Sequence, residues 1–373
     1  MDVTYSISFY KGLGIERVIQ MDLEQRLHLL TRNVEELVTE EELKELLASG
    51  RKPRAYIGFE PSGLVHIGWL ICASKIRDLV DAGFDVTVFW ADWHAYINDK
   101  LGGDIDNIRV CARYMEDCFE SLGVPREKVD YRYASDILDD MDYWERVIKV
   151  AKATSLSRVK RAMTIMGRGE DDAELDSSKL FYPILQATDM FAMDIDLAYS
   201  GMDQRRAHML ARDAAEKLDW KKPIAMHTPL LPGLKGGERM DPAAAKMSKS
   251  DPDSGIMIHD SLEDVQRKLK KAYCPPEAEE EDRNPVLMLC RLVLFPRLGR
   301  IDVDRPEKFG GPVSYGDYQS LRDDYFSGSL HPMDLKKGAA SALWEILEPV
   351  SEYFHSRPDN YEGIRKVLKS LGR

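Results

Sequence analysis

Two short stretches concentrate the chemistry. In Pro61-Ser62-Gly63-Leu64-Val65-His66-Ile67-Gly68-Trp69, an imidazole and two glycines sit where an apolar run gives way to a helical one. A helix start offers backbone N–H donors and the positive end of the helix dipole, a setting that suits phosphate. His66 adds a side-chain donor there, and Gly68 lets a nucleotide approach the backbone closely. About 180 positions downstream, Lys246-Met247-Ser248-Lys249-Ser250 places two lysines and two serines in a Gly/Pro-rich stretch. That composition can neutralise and hydrogen-bond a polyphosphate leaving group. Taken singly, the first stretch also fits a structural histidine and the second a plain basic surface loop. Together, and in this order, they point to nucleotide chemistry.

The elements that must hold these residues follow from pattern. Ala55–Phe59 and Val86–Trp90 are short apolar runs bounded by charge, Pro or Gly, which suggests buried strands. Between them lies a helical run from about Gly68 to Val80, stopped near Gly83. Strand, loop, helix, strand is a βαβ unit, so the fold class is α/β with a parallel sheet. Residues 16–50 read as helices, one of them opened by a capping box at Thr39 and Glu42 and ending near Ser49-Gly50. Residues 105–123, 183–193, 203–218 and 261–273 also read as helices, and 142–168 as one long or broken helix. Glu170–Ser178 is an acidic loop, and 223–252 reads as a long loop. Pro275–Pro285 is an acidic, Pro-flanked boundary. Beyond it, 286–373 reads as short helices separated by Gly/Pro loops.

Composition narrows the class. The chain has 373 residues, 44% apolar and 31% charged, which excludes a disordered chain. No apolar run approaches the ~20 residues that a membrane helix needs, and the first twenty residues show no leader pattern. Five cysteines, an odd number with no C-x-x-C pair, argue against a disulfide framework and a zinc site, so a cytoplasmic location and no protein-held metal are expected. The net charge of −12 argues against non-specific binding to nucleic acid but not against a local basic face. Arg146, Lys149, Lys152, Arg158, Lys160, Arg161 and Arg168 form such a stretch with no acidic residue among them. Its ordinary reading is a solvated helix face.

HIGW and KMSKS resemble the two motifs of class I aminoacyl-tRNA synthetases. AYIGFEPSG, ADWHAYIND, YPILQATD, GMDQRRAHMLARD, KKAYCP, RPEKFGG and HPMDLK resemble the archaeal/eukaryotic type of tyrosyl-tRNA synthetase, a likeness running from about Ala55 to Pro349. Trp69 departs from the class pattern, which usually has a second histidine there. The resemblance implies a Rossmann-like parallel-sheet catalytic domain over 51–274, with a helical insertion at about 138–178 and the KMSKS loop at 246–250. A helical region would precede it over 1–50, and a mainly helical anticodon-binding domain would follow over 275–373.

It also implies a pocket. Tyr56 would contact the substrate phenol and Asp189 would accept its proton. Tyr182, Gln186 and Gln204 would hold the amino acid's other end, with Glu60 nearby. Gly58, Gly68, His66 and Lys249 would meet ATP, and His66, Lys246 and Lys249 would stabilise charge on its phosphates. The implied partners are L-tyrosine, ATP with Mg²⁺, tRNA(Tyr) and a second copy of the chain. Arg161 and Arg205 would lie near the tRNA acceptor end, and Phe309 and Asp334 would read the anticodon. Without the resemblance, Phe309 reads as a loop anchor and Asp334 as a helix N-terminal acid. The competing functions are a tryptophan–tRNA ligase of the same fold, a non-aminoacylating nucleotidyltransferase, and a non-catalytic RNA-binding relative.

Overall fold

The computed structural model describes residues 21–167, 176–236 and 254–372, apart from the side chains of residues 279, 280 and 309. The loop 246–250, with Lys246 and Lys249, lies outside the described residues. So do Arg168, most of the acidic segment before Ser178, and residues 16–20.

A six-stranded sheet organises the first two thirds of the chain. The opening elements are α1 (Leu23–Thr31), β1 (Glu36–Val38), α2 (Glu40–Ala48), β2 (Arg54–Phe59), α3 (Trp69–Asp81), β3 (Asp85–Trp90), α4 (Asp92–Ile97), α5 (Ile105–Ser121) and β4 (Val129–Tyr133). They are followed by α6 (Met141–Ala153), α7 (Leu156–Ala162), α8 (Phe181–Ala192), β5 (Leu197–Gly201), α9 (Arg205–Leu218), β6 (Ile224–Thr228) and α10 (Leu262–Lys271). The strand order is β1-β6-β5-β2-β3-β4, parallel except for β1 against β6. The chain leaves β2 on one side for β3 and β4, then returns on the other for β5 and β6. The crevice at the C-terminal ends of β2, β3 and β5 is therefore a topological switch point, where ligands bind in such sheets.

The expected strands at 55–59 and 86–90 and the helix between them form as read. The capping box at Thr39 is present, with Glu42 N–H donating to Thr39 Oγ1 and Thr39 N–H to Glu42 Oε2, both at 3.1 Å. The basic run read over 142–168 is, in its described part, a broken helix. It ends at Thr154 and restarts where Ser155 accepts from Arg158 N–H.

Three expectations are corrected. Glu36–Val38, read as helix, is an edge strand held by Met226 and its neighbours in β6. Three residues are too few for a periodic signal, and the partner is nearly two hundred positions away in sequence. Ile224–Thr228, read as loop, is a strand buried along its whole length; the prolines on either side are its ends rather than part of a loop. Pro332–Ser356 is one helix of 25 residues that passes through Pro349. An interior proline costs about 3 kcal/mol, and burial of Leu343, Leu347, Val350 and Phe354 on both sides of it offsets that cost.

Apolar packing continues from the sheet into the helices beyond Pro285. Arg297 crosses this seam. Burial lowers its guanidinium pKa to about 10, and it donates to Ser74 Oγ at 3.0 Å and to the Leu122 carbonyl at 3.1 Å. Gly338 is a close-approach position, where a Cβ would meet Val303 Cγ2 at 2.8 Å and the Asp302 carbonyl at 3.1 Å.

Candidate active site

A cavity of about 680 Å³ opens at the switch point. Tyr56, Gly58, Glu60, His66, Gly68, Tyr182, Gln186, Asp189 and Gln204 all line it. Every described residue that the sequence assigned to tyrosine or ATP is thus in one place. A second cavity, of about 560 Å³ beside Arg146 and Trp220, holds none of them.

Helix α8 supplies one wall. Tyr182, Gln186 and Asp189 fall at i, i+4 and i+7, which is one helix face, while Leu185 and Ala187 pack into the protein. Asp189 is 1% exposed. Its Oδ1 accepts from the Tyr143 hydroxyl at 2.7 Å. Its Oδ2 lies 3.2 Å from His94 Nε2, outside hydrogen-bond geometry, and has no hydrogen-bond partner among the described residues. One turn back, Gln186 Nε2 donates to Gln204 Oε1 at 3.3 Å, and Gln186 Oε1 is buried without a partner among the described residues. A buried unmatched acceptor costs about 1–3 kcal/mol, so both atoms fit a ligand that brings donors.

Strand β2 supplies the facing groups. Burial, reinforced by the Asp189 carboxylate, pushes the Tyr56 phenol pKa well up, so it remains a protonated donor. A Cβ at residue 58 would stand 2.7 Å from the Tyr56 hydroxyl. Gly58, expected to admit ATP, leaves room for the phenol of Tyr56. Glu60, just past β2, accepts from Asn98 Nδ2 at 2.9 Å and from the Tyr182 hydroxyl at 3.1 Å, and pairs with Lys100 at 3.3 Å.

The His66 segment is built differently from its expectation. Trp69, Leu70 and Ile71 N–H donate to the carbonyls of His66, Ile67 and Gly68, and Ile67 N–H donates to the Ile256 carbonyl. The first-turn amides of α3 are therefore spent within the protein and are not donors for phosphate. Gly68 N–H donates to His66 Nδ1 at 3.2 Å, so the neutral ring carries its proton on Nε2 as a donor. A Cβ at Gly68 would come within 2.8 Å of the His66 ring. Trp69 stacks on Phe59 at 4.6 Å and packs near Phe119, so an aromatic contact takes the place of a second imidazole.

The residues assigned to RNA are dispersed. Arg161, exposed on α7, and Arg205, at the start of α9, lie at one junction, where Arg206 donates to the Arg161 carbonyl at 2.8 Å. Arg205 Nε is bound to Glu36 at 2.7 and 2.9 Å. Asp334 is in the first turn of Pro332–Ser356 and is 9% exposed. The side chain of Phe309 lies outside the described residues.

Sequence reading missed His94, Asn98, Lys100 and Tyr143. His94 and Asn98 do carry a signal: polar residues at i, i+4 directly after a strand that ends at the crevice. Asp92 anchors their helix, accepting from Ser135 Oγ at 2.7 Å. Tyr143 is hidden in an apolar face with Val147 and Val150.

Residues 47–348 match the family described as tRNA synthetases class I (W and Y). The tyrosine–tRNA ligase of Aeropyrum pernix is 52% identical over 343 residues, 89% of this chain and 94% of that protein. This chain belongs to the class I tyrosyl-tRNA synthetases. The solved tyrosyl-tRNA synthetase from Aeropyrum pernix aligns at a TM-score of 0.84 and 46% identity, over 94% of this chain and 100% of that one. The one from Pyrococcus horikoshii, complexed with L-tyrosine, aligns at 0.86 and 40%, over 93% and 100%. The archaeal-type tyrosyl-tRNA synthetase scaffold, with its parallel sheet and C-terminal helices, is thus the one that carries the cavity.

Proposed function

We propose that this tyrosine–tRNA ligase binds the ring of its amino acid between Asp189 and Tyr56. A phenol both donates and accepts. Asp189 Oδ2 would take the phenol proton, and Tyr56 would donate to the phenol oxygen. The ammonium group would meet Gln186 Oε1, with Tyr182, Gln204 and Glu60 around it. The observation that carries this reading is the pair of buried acceptors without partners among the described residues, Asp189 Oδ2 and Gln186 Oε1, in one cavity. Tryptophan would satisfy the site poorly, because an indole N–H only donates and leaves Tyr56 unmatched.

The tyrosine carboxylate attacks the α-phosphate of ATP, giving tyrosyl-adenylate and pyrophosphate, and the terminal adenosine hydroxyl of tRNA(Tyr) then attacks the tyrosyl carbonyl, breaking the mixed anhydride and releasing AMP and a proton. No side chain need act as nucleophile. Catalysis would consist of positioning and charge stabilisation, by His66 Nε2–H, the α3 dipole, Lys246 and Lys249. Mg²⁺ would arrive on the triphosphate and supply further neutralisation.

On α6, Met141 and Ile148 are 79% and 67% exposed, with Trp144 between them at 36%, and Leu156 of α7 is 60% exposed. This apolar stripe, at i, i+3 and i+7, supports a homodimer built on the insertion at about 138–178. A solution mass near 42.5 kDa at micromolar concentration would rule the dimer out. Arg161 and Arg205 would approach the acceptor end of tRNA, and Phe309 and Asp334 its anticodon, in a cytoplasmic enzyme divided at about residues 50 and 275.

The test of the substrate pocket is ATP–pyrophosphate exchange with tyrosine and phenylalanine on Asp189→Ala, Tyr56→Phe and the double variant. A site with buried partners for a hydroxyl strongly rejects the analogue lacking it, so each single variant loses part of the preference and the double most of it. A double variant with the wild-type ratio would refute the pocket.

A further inference from the structure

Tyr143 lies outside the cavity lining, on α6, yet among the described residues its hydroxyl makes the one hydrogen bond on the carboxylate that faces the cavity. Both side chains are buried, at 2% and 1% exposure, and the contact is 2.7 Å. We propose that Tyr143 is a positioning residue for substrate selection: by holding Asp189 Oδ1 it fixes the carboxylate so that Oδ2 alone is presented to the substrate phenol.

The chemistry of the three groups supports this. Burial and the neighbouring Asp189 push the Tyr143 phenol pKa strongly up, so it keeps its proton and acts as donor. The Tyr143 hydroxyl donates to one oxygen of Asp189, which leaves the other to accept from a second phenol. The alternative support for Asp189 is His94, but its Nε2, though 3.2 Å from Oδ2, is not in hydrogen-bond geometry. Without the Tyr143 hydroxyl, no hydrogen bond among the described residues sets the rotation of the Asp189 carboxylate. Tyr143 is itself fixed by packing on one face of α6 with Val147 and Val150. The substrate phenol would be the second phenol on a carboxylate already oriented by the first.

This rests on the reading of Asp189 as the phenol acceptor, and the test separates the two. Tyr143→Phe removes one oxygen and leaves the packing. In ATP–pyrophosphate exchange, kcat/KM for tyrosine should fall about tenfold or more, mainly through KM, as expected for the loss of a hydrogen bond to a charged group. Phenylalanine activation and the KM for ATP should stay the same, so the tyrosine/phenylalanine ratio falls by the same factor. Equal losses for tyrosine and phenylalanine would mean a merely structural role and overturn the proposal, as would an unchanged ratio. Adding Tyr143→Phe to Asp189→Asn should change the ratio no further, because the group being positioned is already altered; a second fall of full size would also overturn it. If Asp189→Ala itself left the ratio intact, the acceptor reading would be the one to fail. If it lowered the ratio and Tyr143→Phe did not, only the positioning role would fail.

Discussion

Gly58→Ala discriminates between two roles for one residue. The sequence placed Gly58 against ATP, whereas the structure places it beneath the Tyr56 ring. A methyl group there would lie 2.7 Å from the Tyr56 hydroxyl, 3.2 Å from Cζ and 3.4 Å from Cε2. Ordinary contact begins near 3.4 Å, so the hydroxyl must retreat by roughly 0.7 Å. The ring cannot swing into solvent, being 2% exposed and packed against Phe89 with centroids 5.9 Å apart. Overpacking of this kind costs about 1–3 kcal/mol, and displacing a positioning group by about 1 Å can cost 10²-fold in rate. ATP–pyrophosphate exchange would be measured with tyrosine and with phenylalanine while ATP is varied. The expected outcome is a loss of ~10–100-fold in kcat/KM for tyrosine, a smaller loss for phenylalanine and an unchanged KM for ATP. A raised KM for ATP with the wild-type tyrosine/phenylalanine ratio would return Gly58 to the nucleotide and refute the reasoning.

Lys249→Ala should lower the adenylation rate by ~10²–10³, the usual cost of one preorganised donor, with tyrosine affinity unchanged; a proportional fall in tyrosine affinity would mean the residue is misassigned. Asp334→Ala should weaken charging of tRNA while tyrosyl-adenylate still forms at the wild-type rate, and equal damage to both steps would show that it acts through folding. Stability should fall in acid. Burial holds His259 down to about 4 and His208 down to about 3, so both stay neutral in the folded chain while the unfolded chain takes up protons near 6.5. Between those values the unfolded state binds more protons, so stability drops as pH falls, by about 1.4 kcal/mol per unit for each ring. Tm measured from about pH 7 to pH 4.5 should decline, and a flat or rising profile would contradict the sign.

What was legible in the sequence was what local pattern encodes. β2, α3 and β3 announce themselves by apolar runs and a glycine stop, and Asp189 stands out as a charge inside Ile184, Leu185, Met190 and Phe191. The i, i+4, i+7 spacing of Tyr182, Gln186 and Asp189 already places them on one face. β1 could not be read, because its three residues are strand only through β6. β6 was masked by prolines that bound it. Tyr143 was invisible for a different reason: on α6 it occupies an apolar-face position, and only the approach of α8 turns its hydroxyl from a packing residue into a donor for Asp189. The backbone donors expected at α3 failed because its first-turn amides bond the carbonyls of His66, Ile67 and Gly68 three residues back, a tight local turn that residue pattern alone does not show.

Phe354 and the helix Asp359–Ser370 brace the His66 side of the cavity from behind. The Tyr114 hydroxyl accepts from Val65 N–H at 3.3 Å and lies 2.8 Å from His259 Nε2. Having accepted from Val65, it has its own proton to give, and the neutral His259 ring can receive it. His259 in turn stacks on Tyr361, with centroids 3.9 Å apart, and meets Phe354 edge-on at 4.6 Å. Val65 also takes the Ile258 N–H through its carbonyl, at 3.1 Å. The segment before His66 and the segment entered after the 246–250 loop are therefore tied to each other, and both lean on the helix Asp359–Ser370. Tyr114 and His259 depend on each other's protonation state. A charge on His259 would remove the acceptor, strand a buried proton donor next to Val65 and loosen the seam that sets the position of His66. The burial that keeps His259 neutral thus serves the site directly, and the final helix supplies part of that burial.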